Sequence, residues 1–177
     1  MDRAEYQATL RVARAKDRFL FRKLRPEEFD VAHGILVSAR ATSASDNYAA
    51  VVAVRHNTIG NTSGAGIWIE NRDASSSAAR LDATVVDNAT STTGGDGYHL
   101  SASSGTLLCA RVRGNTDNGP GASATAYALL QADSSTFQLE GAAADAAMEI
   151  ANTNGGTPVS TSGNITMVAD GACSTPP

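Results

Sequence analysis

The sequence predicts an all-β chain: a short right-handed parallel β-helix of about four coils, led by an N-terminal amphipathic capping helix. Three observations predict it. Two strand-like markers interleave in constant order and recur about every 30 residues. No helix-length apolar pattern separates them, which argues against βαβ units. The composition suits turns and thin strands: 16 Gly in 177 residues, abundant Ala, Ser, Thr and Asn, and only 5% aromatic residues. With 42% hydrophobic residues the chain has enough apolar material for one core.

Residues 1–30 stand apart from residues 31–177. They hold eight of the 14 Lys and Arg residues, with apolar Leu10, Ala13, Phe19, Leu20 and Phe21 between the charges. Arg3 to Lys23 reads as an amphipathic helix ending before Pro26, a cap for one end of the domain. It lacks the unbroken apolar stretch of a secretory signal.

From Val31 onward the first marker is a glycine followed by alternating apolar residues. Its copies are Gly34-Ile35-Leu36-Val37, Gly66-Ile67-Trp68-Ile69 and Gly97-Tyr98-His99-Leu100, with a looser fourth at Thr125-Ala126-Tyr127-Ala128-Leu129. The second marker ends in asparagine: Val52 to Asn57, Ala83 to Asn88 and Ala110 to Asn115. Period-two alternation assigns Ile35, Val37, Ile67, Ile69, Tyr98 and Leu100 to an inner face, and likewise Val52, Val54, Ala83, Val85, Ala110 and Val112. Ala50, Leu81 and Leu108 continue the second set in phase. Glycine- and asparagine-rich segments such as 60–64 and 92–95 supply the turns. Beyond Thr136-Phe137-Gln138-Leu139-Glu140 the repeat decays, and Ile165-Thr166-Met167-Val168 reads as a last strand.

In a solenoid, equivalent positions of successive coils stack about 4.8 Å apart. Asn57, Asn88 and Asn115 would then form a column of amides bonding to one another or to backbone left bare at a bend. Cys109 falls between inward Leu108 and Ala110, so it points outward, where Cys173 in the tail can reach it. A disulfide between them closes a long loop and requires an oxidising compartment.

These repeats, with Arg55-His56-Asn57-Thr58-Ile59, Val86-Asp87-Asn88 and the closing Cys173-Ser174-Thr175-Pro176-Pro177, resemble the pectin-lyase-like superfamily of right-handed parallel β-helices. More narrowly, they look like the C-terminal coils of bacterial secreted or surface repeat proteins. The resemblance spans residues 31–177 and implies the fold far more than an activity. It implies a non-catalytic stalk or adhesin outside the cell or on its surface, in contact with polysaccharide or cell-surface glycans. The alternatives are a polysaccharide lyase or glycoside hydrolase, and an orphan C-terminal fragment of a larger repeat protein.

Candidate chemistry is sparse. Arg55, His56, Asp87, Asp96, His99, Arg111, Arg113 and Asp117 are the titratable residues at strand ends and turns. Asp87, Asp117, His56 and Arg113 are the catalytic candidates, Asp117 because Asn115-Thr116-Asp117 matches one piece of the polygalacturonase signature, whose other pieces are absent. The default reading is a set of solvated outer charges. Trp68 alternates with Ile67 and Ile69 and so faces outward, either to stack on a sugar ring or to pack beneath the loop at residues 73–77. His33, His56 and His99 share no spacing suited to one ion, so no metal and no cofactor is expected. A calcium site at Asp96 and Asp117 is a lesser alternative. Net charge −4 argues against a nucleic-acid partner, and no stretch is apolar enough for a transmembrane helix. Asn61, Asn88 and Asn164 begin glycosylation sequons by pattern.

Overall fold

A computed structural model describes residues 33–41, 48–73, 79–122, 124–155 and 158–175. The expected helix over residues 1–30 lies outside them.

The chain winds as a parallel β-solenoid of about four coils with three sheets. The first coil consists of β1 (Ile35–Ala41), β2 (Ala49–Arg55) and β3 (Thr58–Thr62). The second consists of β4 (Ile67–Asp73), β5 (Arg80–Val86) and β6 (Ala89–Thr93). The third consists of β7 (Tyr98–Ala102), β8 (Leu107–Arg113) and β9 (Thr116–Asn118). The fourth runs through β10 (Tyr127–Gln131), β11 (Thr136–Glu140) and a helix, α1 (Ala146–Thr153), and the chain ends in β12 (Val159–Ser162) and β13 (Ile165–Val168). Sheet A orders β1-β4-β7-β10-β12, sheet B orders β2-β5-β8-β11-β13 and sheet C orders β3-β6-β9. Every pairing between these strands is parallel.

The register stacks the sequence columns on one another. Ile35, Ile67, Tyr98, Tyr127 and Val159 share one column of sheet A. Ala50, Leu81, Leu108, Phe137 and Ile165 share one of sheet B. Ile67, Ile69, Tyr98, Leu100, Leu108, Phe137 and Leu139 are all 0% exposed, so the core is a continuous rod of stacked side chains. Each fully buried aliphatic chain contributes about 1.5–3 kcal/mol.

The glycine opening each of the first three coils has a steric cause. A Cβ on Gly66 would lie 2.5 Å from Thr90 Cγ2, and one on Gly97 2.5 Å from Asp117 Cγ. Side chains pointing inward from sheet C therefore press on the backbone entering sheet A, and only hydrogen fits there.

The bend between sheets B and C carries the amide column. Asn57 Nδ2 donates to Asn88 Oδ1 at 2.8 Å, and Asn88 Nδ2 to Asn115 Oδ1 at 2.9 Å. Asn115 Nδ2 donates in turn to Asn154 Oδ1 at 2.9 Å. Each accepting oxygen also takes the backbone N–H of the rung before it, at 3.0 Å in all three cases. Asn154 is a fourth rung, set as the C-cap of α1 and 39 residues past Asn115. The residue before three of the rungs is left-handed: His56 at φ 57, Asp87 at φ 55 and Gly114 at φ 66. Histidine and aspartate tolerate that backbone better than most side chains.

Two phenols cross the core to the same bend. Tyr98 and Tyr127 stack with centroids 4.8 Å apart. Tyr98 Oη faces Asn88 O at 2.7 Å and Thr116 O at 3.0 Å, and Tyr127 Oη faces Asn115 O and Gly155 O, both at 2.9 Å. Burial raises both phenol pKa values far above the usual range.

Cys109 and Cys173 form a disulfide, 64 residues apart. Cys109 lies on the outer side of sheet B, and the tail that covers it leaves it 0% exposed.

Candidate functional site

The outer face of sheet A gathers the aromatic and polar groups that sequence columns bring to one surface. Leu36, Trp68, His99, Ala128 and Ser160 stand in one outward column. Ser38, Glu70, Ser101, Leu130 and Ser162 form the next. Parallel pairing in register sets Trp68 beside His99, and the two rings stack with centroids 4.1 Å apart at 27°. His33 meets the indole edge-on, centroids 4.6 Å apart. Trp68 is thus the centre of a three-ring array, half-buried, and its Nε1 has no hydrogen-bond partner among the described residues.

Each histidine is oriented by a bond on its Nδ1. The Ala65 N–H donates to His33 Nδ1 at 3.0 Å, which leaves the ring proton on Nε2. Burial first, and then the proximity of His99, lower the His33 pKa. His99 Nδ1 lies 2.9 Å from Asp96 Oδ2, while Asp96 Oδ1 accepts from Thr125 N at 2.9 Å and from Thr125 Oγ1 at 3.2 Å. Burial works against the Asp96 carboxylate, but the His99 and Thr125 bonds outweigh it and hold its pKa below the ordinary value. Beside the rings, Glu70 accepts from Ser38 Oγ at 2.5 Å and pairs with Arg72 Nε at 3.1 Å. With His99 stacked on the indole and His33 set edge-on to it, a ligand meets what is left open of the ring, the outer imidazole nitrogens and the Glu70–Arg72–Ser38 group. Such a surface offers an aromatic edge and both signs of hydrogen-bonding partner, the chemistry that hydroxyl-rich ligands use.

The four catalytic candidates occupy separate places. His56 and Asp87 sit at the exposed bend between sheets B and C, Nδ1 to Oδ2 3.9 Å. Arg113 lies on the outer side of sheet B, where it pairs with Asp170 of the tail and approaches Glu149 at 3.8 Å. Asp117 points inward from sheet C, 6% exposed, and accepts from Thr90 Oγ1 at 2.6 Å. Burial raises its pKa, and Asp96 adds to the effect. Arg55 shares the column of Val86 and Arg113. Arg111 stands 4.0 Å from Glu140.

His33 and His99 each contact Trp68, and His56 lies at the other bend. The carboxylates of Asp96 and Asp117 bond to different partners, His99 and Thr125 for the first, Thr90 for the second. Of the sequon asparagines, Asn88 is 2% exposed within the amide column, whereas Asn61 and Asn164 are exposed.

Several groups escaped the sequence reading. His33 and Glu70 join Trp68 through the register, and the column Leu36–Trp68–His99 carried that signal. Glu140 and Glu149, 1% and 4% exposed, had no such signal, because neither belongs to a repeated column.

These features define the class: a parallel β-solenoid with an aromatic and polar outer face. No protein-family model, curated protein or solved structure matches the chain. Among the described residues no helix is long and apolar enough to cross a membrane.

Proposed function

We propose that this chain is a non-catalytic structural and adhesive solenoid segment of a bacterial surface or secreted protein, with the Trp68 face of sheet A contacting glycans. One observation carries the reading: Trp68 in contact with His33 and His99 on the outer face of a parallel sheet, with Glu70, Arg72 and Ser38 beside it. Extended saccharides suit such a surface, since hydroxyls can bond to the polar columns while a sugar face lies against the aromatic edge. The disulfide supports a place outside the reducing cytoplasm. The three parallel sheets of the solenoid and the amide column support the likeness to the pectin-lyase-like superfamily.

The test is a glycan array with the folded protein, followed by Trp68→Ala. Binding that falls at least about tenfold in the variant, with no cleavage of the bound saccharide, is the expected outcome. Undiminished binding in Trp68→Ala would remove the proposed face. Cleavage of an acidic polysaccharide, abolished by Asp87→Ala, would replace the reading with the enzymatic one.

A further inference from the structure

The tail crosses the outer side of sheet B and gathers a second cluster there, independent of the Trp68 face. Arg113 pairs with Asp170, and Arg80 Nη2 reaches Ala172 O at 3.5 Å. Glu140 Oε1 accepts the Cys173 N–H at 2.7 Å. These three contacts join residues 170–173 to β5, β8 and β11 in addition to the disulfide.

Under the tail, Asp82 and Cys109 are register neighbours on β5 and β8. One carboxylate oxygen of Asp82 and the sulfurs of Cys109 and Cys173 all lie within 4.8 Å of one another, and all three residues are buried. Arg80 grips Asp82 from outside, Nη2 to Oδ1 at 2.8 Å and Nε to Oδ1 and Oδ2 at 3.0 Å.

We propose that reduction of the Cys109–Cys173 bond turns this cluster into a site for a thiophilic divalent cation of the zinc and cadmium kind, with two thiolates and the Asp82 carboxylate as ligands. Thiolate and carboxylate donors select such ions over magnesium or calcium. Two thiolates about 2.3 Å from a tetrahedral ion sit about 3.8 Å apart, so the sulfurs, bonded to one another here, move apart to admit the ion. The contacts at Asp170, Ala172 and Cys173 keep the sulfurs together once the bond between them is gone. A carboxylate has room for the ion as well as Arg80, because its two oxygens offer about four lone-pair sites. Arg80 then orients the ligand and offsets the negative charge that two thiolates and a carboxylate leave around a dication. A water fills the fourth position. Disulfide and metal site exclude each other, so the tail has one clasp for an oxidising setting and another for a reducing one.

The chemistry balances with a phosphine reductant. Its lone pair enters the sulfur–sulfur bond, water gives its oxygen to phosphorus, and its two protons go to the sulfurs. The cation then displaces those protons to solvent.

The experiment uses the whole chain, reduced with a phosphine, freed of it without air and mixed with cobalt(II). The expected result is a thiolate-to-cobalt charge-transfer band in the reduced protein, quenched by zinc and absent from the oxidised protein. Cys109→Ser abolishes the band, and Asp82→Asn weakens cobalt binding about tenfold or more. Far-UV circular dichroism is read on each sample. A reduced protein that keeps its β signal and shows no band overturns the proposal. So does a reduced protein that loses its β signal, since the tail contacts are then too weak to hold the sulfurs. A band that survives Cys109→Ser, or an affinity unchanged in Asp82→Asn, overturns the ligand assignment.

Discussion

Asp117 occupies a position where Ile59 and Thr90 precede it in the column. Its carboxylate stands inside the coil behind Gly97, one oxygen on Thr90 and the other unpartnered among the described residues. Burial lifts its pKa above the ordinary 3.8. A raised carboxyl pKa stabilises the fold fully below the unfolded value and loses that contribution as pH rises through the folded value. At neutral pH the charge is therefore a burden. Asp117→Asn keeps an oxygen for Thr90 and removes the charge. Its urea midpoint is expected to exceed that of the parent at neutral pH, with the gap closing below pH 3.8. A variant less stable than the parent at neutral pH would show that the carboxylate is needed where it stands. The polygalacturonase-like tripeptide thus ends in a residue turned into the core, which a single strand of sequence does not reveal. Three residues of β9 are too few for alternation to declare which side faces in.

Elements show the same division between what pattern carries and what it hides. The strands of sheets A and B from β1 to β11 were legible where apolar residues alternate over five to seven positions. The sheet C strands β3, β6 and β9 were not, since residues 60–64 and 92–95, rich in Gly, Asn and Thr, read as turns and in fact overlap β3 and β6. The glycine marker was legible too, though its cause was not, because the collision involves a side chain of another sheet. Helix α1 and its rung Asn154 were hidden. The helix spans only eight residues, and it stretches the interval between rungs to 39 from 31 and 27. In the middle of the column, Asn88 Nδ2 also serves Val54 O at 2.9 Å and Val86 O at 3.1 Å. Asn88→Ala strips the Asn57 amides and these carbonyls of their partner, at about 1–3 kcal/mol for each buried group left bare. The loss is expected to exceed that of Asn57→Ala, which removes a donor at the more exposed end of the column. Equal urea midpoints for the two variants would mean that the rungs act separately rather than as a ladder.

At the scale of the molecule, the solenoid is held by repetition along its axis and by one covalent tie across it. The Cys109–Cys173 bond closes a segment with a sequence separation of 64. In the loop-closure model such a bond is worth about 4 kcal/mol. Cys173→Ser is expected to lower the free energy of unfolding by about that amount, read from urea melts of the oxidised parent and the variant. A difference under about 1 kcal/mol would mean that the unfolded chain gains little freedom when the tie is cut. The pairing was legible because Cys109 interrupts an apolar alternation. The acids and arginines that seat the tail were not, since Glu140, Glu149 and Asp170 come from segments where the repeat has lapsed.

The amide ladder also gives the rod a polarity. All its carboxamide dipoles aim their oxygens at the earlier coil, and Asn115 both gives to Asn154 and receives from Asn88. An interior rung is thereby interchangeable with its neighbours, and duplicating a whole turn between Asn57 and Asn115 leaves every amide supplied on both sides. Asn154 differs: its own N–H groups turn to Ile150 O and Val112 O. Growth by copying is open ahead of that helix, and the helix closes the amide column, while sheets A and B each add one more strand, β12 and β13, beyond it.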